Sequence, residues 1–359
     1  MREVHADRRE RVLRRLAERA PGVSALLVTD DANRFYFSGF RGDAGWLLIA
    51  PQGSFLVLDG RFWTQAALEA PDSEVVQLEP GVPFASALDA TLQRLSVRRL
   101  AFHGEQISYA EHARCAEALR GVELISVPGL GEELRVVKDD SEREAIARAA
   151  AITDAAYAEL LPLIQPGVRE VDLAAEIEYR MRRHGAEGVA FPPIIAAGSR
   201  GALPHARPGA DPIGMHDVVV VDVGARFGSY CADMTRTVLV GEPDGESRRV
   251  LDAAQRALDA GVSVLRPGIT GTEVDQVVRR VIEDAGYGPM FTHGTGHGVG
   301  IEVHEAPRLS RAMETGIIPA GSVVTIEPGI YLPGRFGVRM EELVFVGEHG
   351  VEVLSRSPR

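Results

Sequence analysis

The chain has 359 residues, 45% hydrophobic and 25% charged, a length that suits two domains and a composition that suits a globular protein. Its net charge of −12, with no basic stripe interleaved with aromatics, argues against nucleic acid as a ligand, and no run of about eighteen apolar residues offers a membrane span. Cysteine occurs only at Cys115 and Cys231, which supports neither a disulfide framework nor a CxxC metal site and fits a reducing cytoplasm.

The first segment, MREVHADRRERVLRRLAERAPG, lacks the apolar centre of a signal peptide, and Glu3, Asp7, Glu10 and Glu18 are foreign to a transit peptide. Val12, Leu13, Leu16 and Ala20 mark one face of a helix. VSALLVTDD (23–31) reads as a strand, and GWLLIAPQGSFLVLDG (45–60) as a hairpin turning at Pro51-Gln52-Gly53. YAEHARCAEALRG (109–121) reads as a helix stopped by Gly121, and VELISVPGLG (122–131) as a strand running into a break. These segments predict a small α/β domain over residues 1–131 and a second domain over 132–359, opening on the long helical segment DDSEREAIARAAAITDAAYAELLPLI. Of the 39 Lys and Arg residues only Lys138 is lysine, which reads as compositional bias.

The second domain contains an echo. LIQPGVREVDLAAEIEYRMRRHGA (163–186) parallels VLRPGITGTEVDQVVRRVIEDAGY (264–287), with offsets of 101 at Pro166/Pro267 and 103 at Glu170/Glu273. A duplicated α+β unit follows from it, and a site between the copies would draw residues from both.

In VVVVDVGARFGSYCADMTRTVLV (218–240), two β-branched runs flank Gly224 to Ser229, the pattern of an antiparallel hairpin. A turn centred between Phe227 and Gly228 places Asp222 opposite Asp233 on one face, close enough that both charges need a shared proton, an arginine or divalent cations. HGTGHGVGIEVHEAP (293–307) sets His293, His297 and His304 among four glycines, which exclude a helical zinc motif; the glycines read as a loop and IEVHE as a strand, His304 facing with Glu302. SVVTIEPGIY (322–331) puts Glu327 at the end of an apolar strand. In FGVRMEELVFV (336–346), read as one strand, period-two alternation aligns Arg339, Glu341, Leu343 and Phe345 and leaves Glu342 facing solvent. His205, in GALPHARPG, precedes the Asp222 strand as a further candidate.

Asp222 with Asp233 in DxTRT, the HGTGHGVGIEVHE segment, Glu327 in IEPG and Glu341 in VRMEE together resemble the creatinase/prolidase branch of the pita-bread metallopeptidases, over roughly residues 134–346 and in the expected order. The resemblance implies an α+β fold, a duplicated pita-bread catalytic domain preceded by a smaller α/β domain. It also implies hydrolysis of Xaa-Pro bonds by two divalent ions, manganese with cobalt or zinc as substitutes, held by Asp222, Asp233, His297, Glu327 and Glu341. Asp233 and Glu341 would bridge the ions, and His297 would bind one. Glu327 would shuttle a proton, His304 would contact the scissile peptide, His205 would be a further substrate histidine, and Arg339 would neutralise part of the acidic cluster with Thr235 beside the metals. Phe191, in AFPPIIAAG, would line the proline pocket, and Arg308 would bind the carboxylate of a dipeptide substrate.

His293 is then left as support behind the ligands. The expected substrates are proline-containing di- or oligopeptides, with Xaa-Pro dipeptidase activity as the main reading and Xaa-Pro aminopeptidase activity on longer peptides as the alternative. A metal-free creatinase-like hydrolase or binding module is set against the retention of all five ligating side chains. A methionine aminopeptidase is set against the size of the N-terminal domain and the VRMEE setting. The family further implies a homodimer, with Trp46, Arg61 or Trp63 as candidates for closing the site.

Overall fold

The computed structural model describes residues 2–242, 244–311 and 316–359, and they form two compact units, Met1–Arg135 and Val136–Arg359. The first unit runs α1 (Arg2–Arg19), β1 (Ala25–Val28), α2 (Asp31–Ser38), β2 (Trp46–Ala50), β3 (Gly53–Asp59) and α3 (Trp63–Glu69). It continues through β4 (Glu74–Leu78), α4 (Phe84–Arg94), β5 (Arg99–Phe102), α5 (Tyr109–Ala118), β6 (Glu123–Ser126) and α6 (Leu130–Arg135). Its six strands make one sheet in the order β4-β3-β2-β1-β5-β6, antiparallel in the middle and parallel outside. The hairpin turns at Pro51-Gln52 with Ala50 paired to Gly53. Leucine and β-branched residues of the central strands are buried because this sheet is covered on both faces, which is why they read as continuous apolar runs. Trp46 is one of these core residues and stacks on Phe84. Arg61 is paired with Asp59, and the Trp63 indole donates to the Leu58 carbonyl at 2.7 Å.

The second unit is built twice from two helices followed by strands. Its first half comprises α7 (Asp140–Leu160), α8 (Glu170–Arg183), β7 (Gly188–Val189), β8 (Ile194–Ala197), β9 (Val218–Val223), β10 (Ala225–Phe227), β11 (Tyr230–Cys231) and β12 (Met234–Leu239). Its second half comprises α9 (Gly245–Val264), α10 (Gly271–Asp284), β13 (Gly296–Gly298), β14 (Glu305–Leu309) and β15 (Ser322–Ile326), then β16 (Gly329–Leu332), β17 (Phe336–Arg339), β18 (Glu342–Gly347) and β19 (Gly350–Val353).

The echo is a structural repeat. Gly167 and Gly268 both turn with positive φ, 88° and 85°. The next strand-like bridge joins Arg169 to Pro212 in one half and Thr270 to Ile317 in the other. Leu173, Ile177 and Met181 of α8 are buried where Val274, Val278 and Ile282 of α10 are buried, each pair 101 positions apart. The expected offset of 103 at the glutamates is therefore wrong, since Gly271, not Glu273, takes the place of Glu170. A Cβ at Gly271 would lie 2.1 Å from the Arg308 carbonyl oxygen, so that helix must begin on glycine. Each half also closes its own apolar core, one around Ile177, Ile195 and Val221, the other around Val278, Val324 and Val344.

Candidate metal centre

Asp222 sits in β9 with β8 on one side and β12 on the other, and its partner across the ladder to β12 is Thr235. The expected pairing with Asp233 fails by two positions, because the turn is centred one residue later. Gly228 and Ser229 both take positive φ, 58° and 69°, so the turn is a two-residue hairpin turn with Phe227 opposite Tyr230. Asp233 instead occupies the break between β11 and β12, where the chain passes from one sheet to the next. Both carboxylates are nonetheless buried on the same cavity.

The second half of the unit brings the other groups. His297 lies in β13, where a Cβ at Gly296 would meet the Thr325 carbonyl oxygen at 2.0 Å and one at Gly298 the Ala306 carbonyl oxygen at 2.1 Å. These glycines are thus strand residues chosen for close backbone approach rather than a folding-back loop. Glu327 follows β15 directly, and Glu341 falls in the gap between β17 and β18. The expected single strand over 336–346 is therefore two strands belonging to different sheets. Glu342, expected to face solvent, is buried and paired with Arg236 at 3.2 Å and Arg359 at 2.7 Å.

One oxygen each of Asp233 and Glu341 and a ring nitrogen of His297 lie within 4.8 Å of one another. The His297 Nδ1–H donates to the Gly298 carbonyl at 3.1 Å. Its Nε2 lone pair then faces Asp233 Oδ2 at 3.6 Å and Glu327 Oε1 at 3.3 Å. Asp222 Oδ1 and Glu341 Oε1 are buried with no hydrogen-bond partner. Acceptors that converge without a donor fit a cation, and oxygen donors with one imidazole fit a hard or borderline divalent ion.

The electrostatics agree. Burial, with repulsion from Glu341, Asp222 and Glu327, holds the Asp233 carboxyl well above its usual range. Burial and the charges of Glu327 and Asp222 do the same to Glu341. Burial likewise pushes Glu327 up to about 8, with Asp222 adding to the effect and Arg339 opposing it. Burial pushes His297 down to about 3, which keeps the ring neutral and able to ligate.

Behind these groups stands a hydrogen-bonded frame. Arg339 Nη2 donates to Asp222 Oδ2 at 2.6 Å, its Nε donates to Thr235 Oγ1 at 3.2 Å, and Thr235 in turn donates to Glu341 Oε2 at 2.7 Å. Arg339 Nη1 also donates to the Tyr331 hydroxyl at 2.9 Å, and that hydroxyl donates to His293 Nε2 at 2.9 Å. His293 is kept neutral by burial, which pushes it down to about 4. Tyr331 was invisible in the sequence, because β16 reads as an ordinary apolar strand and only the fold brings its hydroxyl to Arg339.

A cavity of about 810 Å³ opens over the cluster. His205, His304, Arg308 and Phe191 all line it, together with Pro192 and Pro193. The His304 ring meets His297 edge to face, centroids 4.4 Å apart. Burial and the nearby Arg308 lower its pKa. Residues 301–304 are bends rather than the expected strand, since the Glu302 N–H is taken by Glu305 Oε1 at 3.2 Å and β14 starts only at Glu305. Arg308 lies in β14 directly across from His297.

Comparison with known proteins gives two family matches, metallopeptidase family M24 over residues 144–348 and the creatinase/prolidase N-terminal domain over residues 8–137. An Xaa-Pro dipeptidase of Pyrococcus furiosus is 33% identical over 98% of this chain and 99% of its own. Among solved structures, an Xaa-Pro dipeptidase from Bacillus anthracis superposes with a TM-score of 0.94 at 37% identity, covering 99% of this chain and 98% of that one. An X-Pro aminopeptidase from Thermotoga maritima superposes with a TM-score of 0.88 at 38% identity, covering 96% and 98%.

Proposed function

The chain belongs to metallopeptidase family M24, with a creatinase/prolidase N-terminal domain ahead of the peptidase domain, and from that membership we propose that it hydrolyses Xaa-Pro dipeptides with two divalent ions. Asp222, Asp233, His297, Glu327 and Glu341 would hold the ions, a role supported by the unpartnered oxygens of Asp222 and Glu341. The chemistry supplied by bound divalent ions is Lewis acidity, which lowers the pKa of a coordinated water and polarises the scissile carbonyl.

The remaining steps belong to side chains. Glu327 carries a proton to the leaving nitrogen, a task for which its place beside His297 at the end of β15 suits it. Proline's nitrogen has no hydrogen of its own, so departure depends on that delivery. His304 and His205 orient the peptide from the cavity wall, and Phe191 packs on the pyrrolidine ring. Arg339, through Asp222 and Thr235, fixes the ligand carboxylates and offsets part of their charge.

Arg308 carries the choice of a dipeptide. Its exposed guanidinium lines the cavity across from His297, with no hydrogen bond or ion pair among the described residues, and suits the free carboxylate left one residue beyond the scissile bond. The rival reading is an aminopeptidase for longer peptides, favoured by the likeness to the Thermotoga maritima enzyme. Ala-Pro should be cleaved at least as fast as Ala-Pro-Ala, and Arg308→Ala should raise KM for the dipeptide roughly tenfold. An uncut dipeptide beside a cleaved tripeptide sinks this assignment.

The same reading takes manganese as the resident ion, with cobalt or zinc as substitutes, and places a homodimer in the cytoplasm. Two buried, unpaired cysteines fit that compartment. Metal analysis and sedimentation of the purified protein check these points.

A further inference from the structure

Among 39 Lys and Arg residues the single lysine, Lys138, is spent on a buried position. Its ammonium is 3.2 Å from Glu305 Oε2, with the two side chains only 1% and 4% exposed. Its backbone is pinned as well, the Lys138 N–H donating to the Gly321 carbonyl at 2.9 Å. The other Glu305 oxygen accepts the Glu302 N–H at 3.2 Å, and the Gly300 N–H reaches the Glu302 carbonyl at 3.0 Å. One carboxylate thus closes the tight bend over residues 300–305. There is no spare room in the bend, for a Cβ at Gly300 would lie 2.4 Å from Glu305 Oε2. From the far side, the Cys231 N–H donates to the Gly300 carbonyl at 2.7 Å. The residue immediately before Glu305 is His304, whose ring rests on His297 over the cavity.

We infer that the Lys138–Glu305 pair is a positioning device for His304, with Lys138 setting the Glu305 carboxylate and Glu305 setting the bend that aims the imidazole at the substrate. The inference rests on the role given above to His304. A compact ammonium on a flexible stem suits a charge that must reach one oxygen from within the core, whereas a planar guanidinium would need several partners. Removing it takes the ammonium's charge away from a buried carboxylate, and the bend, held by that carboxylate, is the part free to move. Neither residue is among the proposed metal ligands, so metal binding should survive.

The experiment is a double-mutant cycle on the full-length, manganese-loaded protein with Ala-Pro as substrate. Lys138→Met should lower kcat/KM about tenfold or more with manganese content unchanged, and in a His304→Ala background the same substitution should change it less than about twofold. An equal loss in both backgrounds overturns the inference and leaves Lys138 a plain stabilising residue. If His304→Ala alone has no effect, it is the reading of the site that fails instead. Should Lys138→Met not fold, the cycle is run with Glu305→Gln, which keeps the shape of the bend and removes its charge, and the same two outcomes decide.

Discussion

Burial deprives a carboxylate of its hydration, and Asp233, Glu327 and Glu341 show the result in pKa values held above the ordinary range. An acid raised in this way stabilises the fold while it keeps its proton and loses that contribution as pH climbs, because the unfolded chain ionises freely near the ordinary value. His293 and His297, pushed down to about 4 and 3, work in the opposite direction, but only below their ordinary value of 6.5. Between pH 6.5 and pH 8 the three acids therefore govern the outcome. Protein stripped with a chelator should melt several degrees lower at pH 8 than at pH 6.5, and manganese should abolish or reverse the difference by displacing the protons. A metal-free melting point that rises across this window would contradict the account. If His297 is a ligand as proposed, His297→Ala should lower the metal content measured by elemental analysis, because its Nε2 converges with the Asp233 and Glu341 oxygens.

At the level of elements, the two glycines flanking His297 are held to their identity by backbone in the neighbouring strands. Gly296→Ala should push β13 off β15 and lower both metal content and stability, since its Cβ would sit 2.0 Å from a carbonyl oxygen. Gly228→Ala should cost only about 1 kcal/mol in a urea melt, because φ there is 58° but the nearest atom to the new Cβ is 3.7 Å away. The elements also show what a sequence reader could and could not see. Asp222 and Glu327 stood out as charges in apolar runs, His297 as an imidazole among glycines, and the repeat as a recurring pattern. Register did not. Placing the hairpin turn one residue early exchanged Thr235 for Asp233 opposite Asp222, and alternation carried unbroken through Met340 and Glu341 hid a change of sheet. Both errors concern where a strand turns or changes sheet, which period-two alternation alone does not fix. The same limit hid Tyr331, and it put Glu342 on the wrong face.

For the whole molecule, the repeat decides how the centre is assembled. Of the ligands proposed, Asp222 and Asp233 come from the first half of the peptidase domain, and His297, Glu327 and Glu341 from the second, so neither half would hold enough donors for a pair of ions. Each half nevertheless has an apolar core of its own, and the join between them is the short passage from β12 to α9. A chain severed in that passage should yield two fragments, each inert toward Ala-Pro and each unable to retain manganese, that regain activity when co-expressed. Recovery by complementation would show that the centre forms only where the copies dock. On the proposed assignment the metal site would double as a proofreader of assembly, since a protein that had folded either half alone would have nothing with which to cut.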